Sequence, residues 1–304
     1  MRKLIIGCGY LGRRVAAAWI RQGHLVAALT RTADHAEQLC SLGVEPVLGD
    51  VTDPLSLSGL PDADIILYAV GFDRRSGLSQ RTVYVDGLRN LLHEFTRRSG
   101  RTPRFGKFVY ISSSSVYGQT SGEWVDESSP CEPAAPNGQV CLDAERVLRA
   151  AVSPTVAAFP FAVNVLRLAG LYGPGRLLRR LDALRSRQPL EGAADGYLNL
   201  IHVDDAVQAV LACETRGSAG ETYLVCDDRP VRRREYYETL ARLAGTPPPV
   251  FAEMAETPLT SAQNVNRTAG TNRRCRNRRL HEELQVQLMY PDIDSGLPQA
   301  IAAT

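Results

Sequence analysis

The segment Lys3-Leu-Ile-Ile-Gly-Cys-Gly-Tyr-Leu-Gly12 lies at the start of the chain and predicts the fold of its larger part. A short apolar run leads into a G-x-G-x-x-G pattern at Gly7, Gly9 and Gly12, and the pattern leads into the helix-like segment RRVAAAWIRQG. In such a turn the first glycine allows a tight bend, the second lets a pyrophosphate approach the backbone, and the third lets helix and strand pack closely. The N-terminus of the helix then faces the anion. The segment therefore predicts a dinucleotide site in the first βαβ unit of a sheet.

Short apolar runs alternate with segments of helical period from Lys3 to about Arg167. The runs are KLII, LVAALT, VEPVL, DIILYAV, FVYIS and AVNVLRL, and the segment RTVYVDGLRNLLHEFTRR shows a clear helical period. Such alternation is typical of a parallel sheet covered by helices on both faces. We therefore predict an α/β fold built on a Rossmann-type, doubly wound parallel sheet.

Beyond residue 170 the alternation gives way to an arginine-rich helix, two short strands and further helices around the linker TPPP. This pattern predicts a small mixed C-terminal substrate lobe. The predicted division is a nucleotide-binding domain over residues 1–170, to which 197–227 returns, and a lobe over 171–304.

The composition of the 304 residues excludes several classes of function. The chain is 44% hydrophobic and 22% charged, with a formal net charge of +2, which favours neither nucleic acid nor a membrane as a partner. The uncharged run over 150–166 contains two prolines, so it does not predict a membrane span. Seven cysteines without a C-x-x-C pair predict reduced thiols, no zinc or other metal site, and a cytoplasmic location.

The end of the second strand decides which dinucleotide is expected. About 20 residues past the glycine pattern, an acidic side chain can accept a hydrogen bond from a ribose hydroxyl. Thr30-Arg31-Thr32 occupies that place, and the Arg31 guanidinium suits a 2′-phosphate instead. In the alternative interpretation Arg31 is solvated and Asp34 binds the ribose, although Asp34 with Glu37 also has the pattern of a helix cap. We favour NADP over NAD.

Asp50, in VLGDVTD after the third strand, is placed to accept a hydrogen bond from the adenine amino group. In a second interpretation, compatible with the first, Asp50 caps the next short helix. With the three glycines, Arg31 and Asp50, the remaining candidate cofactor contacts are Tyr10, Leu11, Thr32, Val51, Ala69, Val70 and Gly71.

Six motifs in order resemble those of the extended short-chain dehydrogenases/reductases of the NAD-dependent epimerase/dehydratase type. They are GCGYLG, GDVTD, ISSSSVYG, VLRLAGLYGPG, NLIHVDDAV and LHEELQVQLMYPDIDSGL. The resemblance covers nearly the whole chain. It implies a Rossmann sheet with a small C-terminal lobe and a site in the cleft between them.

The resemblance also identifies candidate catalytic residues and a departure from the family pattern. It implies that Ser113, with Ser114 beside it, binds the reacting oxygen in the segment that ends at Tyr117 and Gly118. The family's Y-x-x-x-K pair falls on Asn137 and Cys141, which supply neither a titratable hydroxyl nor a positive charge. The loss resembles the atypical members of the superfamily.

No shift of the alignment restores the pair, because the chain has no tyrosine between Tyr117 and Tyr172. The chain also offers few lysines, because only Lys3 and Lys107 among its 35 lysines and arginines are lysines. On the crossover helix, Tyr84 occupies the place of an asparagine that the extended enzymes use.

Two functions are therefore open. The first is an NADP-dependent oxidoreductase or epimerase-like enzyme, acting on a small polar or nucleotide-linked substrate with Tyr117, Cys141 or His202 as a substitute acid. The second is a non-catalytic NADP(H)-binding redox sensor, which needs the cofactor cleft and no proton donor.

Arg176, Asn199 and His202 are candidate substrate contacts. The arginines near Arg176 and in the segment NRRCRNRRLHEEL form either a solvated face or a site for an anionic substrate. A homodimer is a further expectation.

Overall fold

The computed structural model describes residues 1–98, 106–152, 162–252 and 272–302. Its strands are β1 (Arg2–Ile6), β2 (Leu25–Thr30), β3 (Glu45–Leu48), β4 (Ile65–Tyr68), β5 (Lys107–Ser113), β6 (Glu123–Val125), β7 (Ala162–Leu168), β8 (Gly170–Tyr172), β9 (Tyr197–Leu198), β10 (Leu200–His202), β11 (Thr222–Val225), β12 (Val231–Arg232) and β13 (Arg273–Cys275). Its α-helices are α1 (Tyr10–Arg21), α2 (Ala33–Ser41), α3 (Gly87–Arg98), α4 (Pro136–Ala151), α5 (Leu178–Arg185), α6 (Val203–Arg216), α7 (Arg233–Ala244), α8 (Arg278–Glu282) and α9 (Ile293–Ala302). Part of the uncharged run over 150–166 lies outside the described residues.

Seven parallel strands form the central sheet in the order β11-β7-β5-β4-β1-β2-β3. Side chains alternate between its two faces, as the pleat of a strand requires. Ile5 and Leu166 pack with residues of α1 and α6 on one face, and Leu4 and Phe108 pack with residues of α3 and α4 on the other. The predicted Rossmann-type, doubly wound α/β fold is confirmed.

The C-terminal part of the chain is divided between this sheet and a smaller apolar cluster. Strand β11 pairs with β7 in the central sheet, and α6 packs on α1. Residues of α5, α7 and α9 surround a separate cluster around Tyr172, Leu240 and Leu297. Three short strand pairs lie outside the central sheet in the described residues: β10 with β8, β12 with β9, and β13 with β6. Within the described residues, no helix has the length and apolar character that crossing a membrane requires.

Both lysines fasten the sheet to the end of α6. Lys3 is buried and pairs with Glu214, whose other carboxylate oxygen accepts a hydrogen bond from Trp19 Nε1 at 2.8 Å. Lys107 Nζ donates to the backbone carbonyls of Cys213 at 2.9 Å and Gly217 at 2.6 Å. Both lysines lie where their strands begin, at the edge of the sheet opposite the carboxyl ends of the strands. Neither lysine can therefore take the place of the missing lysine of α4.

A buried ion pair fastens α4 to the sheet. The Arg167 guanidinium on β7 donates to both carboxylate oxygens of Glu145, at 3.0 and 2.8 Å, and to the Tyr117 hydroxyl at 2.9 Å. The Ser112 hydroxyl on β5 donates to Glu145 at 2.6 Å. The Arg149 guanidinium, which is half-exposed, donates to the Glu145 carboxylate from the solvent side at 2.9 Å. Helix α4 is thus fixed against β5 and β7 by groups from three elements.

We predict that Arg167→Met lowers the free energy of unfolding by about 3–5 kcal/mol, because it leaves the buried Glu145 carboxylate without its main partner. Arg149→Met removes a guanidinium from the same carboxylate but from an exposed position, so its loss stays below about 1 kcal/mol. Urea denaturation of both variants measures the difference. Equal losses for the two variants would contradict this assignment of the pair.

Candidate functional site

A cavity of about 480 Å³ follows the carboxyl ends of β1, β2, β4 and β5. This is the edge at which open α/β sheets bind ligands. Ten of the predicted cofactor contacts line the cavity, namely Gly7, Gly9, Tyr10, Leu11, Arg31, Asp50, Val51, Ala69, Val70 and Gly71. Gly12 and Thr32 do not line it.

The three glycines of the turn have three different surroundings. Gly7 has a φ of +95°, and a Cβ at this position would lie 2.6 Å from the backbone of Ala69. A Cβ at Gly12 would lie 2.7 Å from the Gly7 carbonyl oxygen, so this glycine allows α1 to pack on the turn and does not face the cavity. A Cβ at Gly9 would meet no atom within 4 Å, which leaves the backbone of Gly9 open to the cavity.

At the end of β2, one side chain lines the cavity and the next caps a helix. Arg31 lines the cavity, its guanidinium half-exposed and 3.9 Å from the Asp73 carboxylate. Thr32 is the N-cap of α2, and its hydroxyl accepts a hydrogen bond from the His35 amide at 3.3 Å. The predicted cap at Asp34 with Glu37 is therefore wrong, because the helix begins earlier and Asp34 lies in its first turn.

His35 lines the cavity beside Arg31, although no pattern in the sequence predicted it. Its Nδ1 lies 2.7 Å from the Thr30 hydroxyl, and burial, followed by the charge of Arg13, lowers the pKa of His35. The Arg13 guanidinium donates to Gln38 at 2.9 Å. Two arginines therefore lie around this end of the cavity.

Asp50 lines the cavity without capping a helix. Its carboxylate accepts hydrogen bonds from the backbone amide and the hydroxyl of Thr52, both at 2.8 Å. The short helix Pro54–Gly59 is capped by Asp53. The capping interpretation of Asp50 is thus wrong, because the cap of that helix lies three residues further along the chain.

The opposite end of the cavity is lined by Ser113, Ser115, Asn137 and Cys141. The oxygen of the Ser113 hydroxyl accepts a hydrogen bond from the Ser115 amide at 3.1 Å. The hydroxyl proton of Ser113 can therefore be donated to a ligand oxygen. Asn137 lies in the first turn of α4, one turn before Cys141. The structure therefore brings the predicted oxygen-binding serine beside the two residues that replace the family's tyrosine and lysine.

Ser114 and Tyr117 do not line the cavity. Ser114 is buried, and its carbonyl oxygen accepts a hydrogen bond from Arg273 at 2.8 Å. Tyr117 is 0% exposed and its hydroxyl accepts from Arg167. Burial raises the pKa of Tyr117. The structure thus places Tyr117 in the packing beneath the site, where its hydroxyl completes the Arg167 ion pair.

Asn199 and His202 also lie in structural positions away from the cavity. The Asn199 side chain donates to the Arg273 carbonyl at 3.0 Å and accepts from the Cys275 amide at 2.6 Å, so it holds β13 in place. His202 is 0% exposed, caps α6, and lies 2.9 Å from the Gln299 side chain. Burial lowers the pKa of His202. Neither residue faces the space that Ser113 and Asn137 line.

Arg176 lines the cavity, but at the glycine turn rather than at the serine end. Its guanidinium lies 4.7 Å from the centre of the Tyr10 ring, and Arg14 lies 4.1 Å from the same ring. Both distances are typical of cation–π contacts. The arginine that the sequence predicted for the substrate is therefore placed beside the backbone of the turn.

The arginines of the segment NRRCRNRRLHEEL are in part structural. Arg273 is buried against the Ser114 carbonyl, and Arg274 donates to the Gly122 carbonyl at 2.8 Å. The first contact ties β13 to the turn after β5, and the second lies beside the pairing of β13 with β6. Positive charge at the cavity comes instead from Arg31 and Arg176, which lie near the glycine turn and the end of β2 rather than at the serine end.

Comparisons with known proteins agree with this geometry. The model of the NAD dependent epimerase/dehydratase family matches residues 4–226. Protein YeeZ of Escherichia coli (strain K12) is 29% identical over 302 residues, covering 96% of this chain and 97% of that protein. The 3-diazoavenalumate denitrifying reductase of a Streptomyces species is 26% identical, covering 98% and 99%.

Among solved structures, a functionally unknown conserved protein from Silicibacter pomeroyi DSS has a TM-score of 0.79 and 31% identity, covering 100% of this chain and 99% of that one. The family match spans the glycine turn, the serine end of the cavity and the strand that completes the sheet. The chain belongs to the NAD dependent epimerase/dehydratase family.

Proposed function

We propose that this protein is an NADP-dependent oxidoreductase that reduces the carbonyl group of a small polar or nucleotide-linked compound. The observation that carries the proposal is one continuous cavity, which joins the open backbone at Gly9 to the hydroxyl of Ser113. The family includes NAD-dependent enzymes by its name, and the Streptomyces relative is named a reductase.

The residues of the cavity fit a nicotinamide dinucleotide. Gly9 leaves room for a pyrophosphate at the N-terminus of α1, where backbone amides and the helix dipole favour an anion. Asp50, oriented by Thr52, supplies an acceptor for the adenine amino group. A Cβ at Gly71 would also meet no atom within 4 Å, so the cavity is open at this residue as it is at Gly9. A reduced dinucleotide, when bound, supplies a hydride.

The charges at the adenosine end support NADP over NAD. Arg31 presents a guanidinium to the cavity, and its pairing with Asp73 at 3.9 Å is loose enough to yield to a phosphate. Arg13 adds a second positive charge behind His35. The carboxylate that lines the cavity, Asp50, lies after β3 rather than at the end of β2. A 2′-phosphate therefore finds donors at the place where a ribose hydroxyl would need an acceptor.

Arg176 is better suited to the pyrophosphate than to a substrate. Its position over the Tyr10 ring fixes the guanidinium beside the turn that begins at Gly9. A planar guanidinium binds phosphate oxygens in pairs, and it does so best when it is held in place by stacking. We therefore move Arg176 from the predicted substrate contacts to the proposed cofactor contacts.

At the other end, Ser113 and Asn137 would hold the substrate carbonyl oxygen. The Ser113 hydroxyl proton is directed by the hydrogen bond that the oxygen accepts from Ser115. An asparagine amide is a second neutral donor. Donors placed at an oxygen that gains negative charge stabilise the transition state of carbonyl reduction.

The second candidate function is a non-catalytic NADP(H)-binding sensor. It is favoured by one observation, that Asn137 and Cys141 stand at the cavity in place of the tyrosine and lysine of the family. A sensor needs the adenosine and pyrophosphate end of the cavity and no chemistry at the serine end. Binding without turnover distinguishes it from the enzyme.

We predict that NADPH raises the melting temperature more than an equal concentration of NADH. A ligand stabilises the native state by RT ln(1 + [L]/Kd), so a tenfold ratio of affinities is worth about 1.4 kcal/mol at saturation. Arg31→Ala abolishes the difference, whereas Arg75→Ala, which removes the other and highly exposed arginine near Asp73, preserves it. Thermal shift with both cofactors is the measurement. Equal shifts in the wild type would disprove the preference for NADP.

The glycine turn gives a second prediction. Gly9→Val leaves the fold intact and abolishes binding of NADPH, because the new side chain fills the space proposed for the pyrophosphate. Gly7→Val instead destabilises the protein, because its Cβ meets the Ala69 backbone and the residue needs a positive φ. Circular dichroism and NADPH fluorescence separate the two effects. A folded Gly9→Val protein that still binds NADPH would place the dinucleotide elsewhere.

The serine end gives a third prediction. Ser113→Ala lowers the rate of NADPH oxidation with a carbonyl substrate by about 10²-fold, the loss typical of one transition-state donor. Ser114→Ala, one residue along and outside the cavity, stays within about threefold of the wild type. Steady-state kinetics over a panel of ketones and sugar nucleotides supply the test. Similar rates for both variants would contradict the role of Ser113, and no turnover by a wild type that binds NADPH would favour the sensor.

A further inference from the structure

Tyr84 lies on an unusual turn at the serine end of the cavity. Residues Thr82–Asp86 form a π-helical turn directly before α3. π-Helical turns are rare in proteins, and many of those that occur lie at functional sites. Tyr84 is partly exposed and lines the cavity that Ser113 and Asn137 also line.

The Tyr84 ring packs against an aromatic neighbour. The Phe72 ring packs edge-on against it, with centroids 6.4 Å apart and an interplanar angle of 77°. On the sheet side lies Tyr110, whose pKa is raised by burial and then by Tyr68, Cys141, Glu145 and Tyr84. The π-helical turn that carries Tyr84 packs against α4, the helix on which Asn137 and Cys141 lie, so Tyr84 lines the cavity beside the helix where the family has its tyrosine and lysine.

The other phenols of the cavity are badly placed for proton transfer at Ser113. Tyr68 and Tyr110 are only 2% and 3% exposed, and the Tyr68 hydroxyl is buried without a hydrogen-bond partner in the described part of the chain. Tyr10 lies at the glycine turn between Arg14 and Arg176. Among the described residues that line the cavity, this leaves Tyr84 as the partly exposed phenol at the serine end.

We propose that Tyr84 is the proton donor of this site, in place of the tyrosine that Asn137 replaces on α4. The proposal rests on the proposed function. It also accounts for an exchange of residue types between two helices, since the sequence resemblance aligns Tyr84 with an asparagine and Asn137 with the tyrosine. The exchange thus keeps one phenol and one side-chain amide at the cavity, but each is carried by the element that carries the other in the family pattern.

The step balances as a carbonyl reduction. A bound reduced dinucleotide would supply the substrate carbon with a hydride, which carries two electrons, and the C=O π bond would break. The carbonyl oxygen, held by Ser113 and Asn137, takes the proton of the Tyr84 hydroxyl and becomes an alcohol. The Tyr84 phenolate then takes up a proton from the solvent, so the sum is substrate, reduced dinucleotide and one proton in, alcohol and oxidised dinucleotide out.

A binding experiment tests the contact without any turnover. The protein is labelled with ¹³C at the tyrosine Cζ atoms and saturated with NADP⁺, and isatin, an activated small ketone, is added as the probe. The resonance of Tyr84 is assigned by its absence in Tyr84→Phe. We expect this resonance to move on addition of isatin, because its hydroxyl donates to the ketone oxygen. A resonance that stays in place at saturating isatin would overturn the proposal.

A kinetic experiment tests the role. Tyr84→Phe should lower kcat for NADPH oxidation by isatin by about 10²-fold, the usual contribution of a general acid. Tyr68→Phe is the matched control, since it removes a buried hydroxyl without a hydrogen-bond partner in the described residues, and it should stay within about twofold. Thermal shift with NADPH should be the same for the wild type and both variants, which shows that the fold and the cofactor site are intact.

The outcomes separate this proposal from the proposed function. If the wild type reduces isatin and Tyr84→Phe loses less than tenfold, Tyr84 is not the proton donor and the oxidoreductase stands. If the wild type binds NADPH but does not reduce isatin or the other ketones, the oxidoreductase fails and Tyr84 with it. A loss of tenfold or more with normal NADPH binding supports both.

Discussion

The candidate site depends on the buried ion pair between Glu145 and Arg167. Glu145 lies two turns along α4 from Asn137 and one turn from Cys141, so the position of its carboxylate sets the position of both residues at the cavity. Arg167 on β7 binds that carboxylate with two hydrogen bonds. Two desolvated charges tolerate little displacement, because each loses its compensation when the other moves. The pair therefore holds α4 at the cavity independently of what chemistry the helix carries.

This independence explains how the fold persists while its usual catalytic pair is absent. The glycine turn and the ion pair are formed without the side chains of Asn137 or Cys141, although Cys141 also packs in the apolar cluster on one face of the sheet. The lysines have structural roles at the opposite edge of the sheet, where Lys3 and Lys107 bind the end of α6. A cation at that edge contributes nothing to the serine end of the cavity. The Cys141 thiol is the titratable group of α4 at the serine end, and the acid that we propose there, Tyr84, comes from the π-helical turn before α3.

Much of the fold could be predicted from the sequence because its signals are local. Alternating apolar runs predict parallel strands, and the spacing of Gly7, Gly9 and Gly12 predicts a turn whose steric needs the structure reproduces. The absence of the family's tyrosine and lysine at Asn137 and Cys141 could also be predicted from the sequence, because it concerns residue types at a fixed spacing. The cap of α2 was missed by two residues, since Thr32 and Asp34 are both good caps and only the path of the chain chooses between them.

The direction of the polar side chains was decided by tertiary structure alone. Ser113 faces the cavity while Ser114 and Tyr117 turn into the packing, although the three lie within five residues of one another. Asn199 and His202 were predicted as substrate contacts, but Asn199 binds β13 and His202 lies against the Gln299 side chain. Each of these choices depends on a partner distant in the chain, such as Arg167 for Tyr117, and on the register of a strand. The amino-acid sequence by itself therefore determined the sheet and the glycine turn, whereas only the folded chain decided which side chains reach the cavity, because long-range pairing and not local pattern directs a buried polar group.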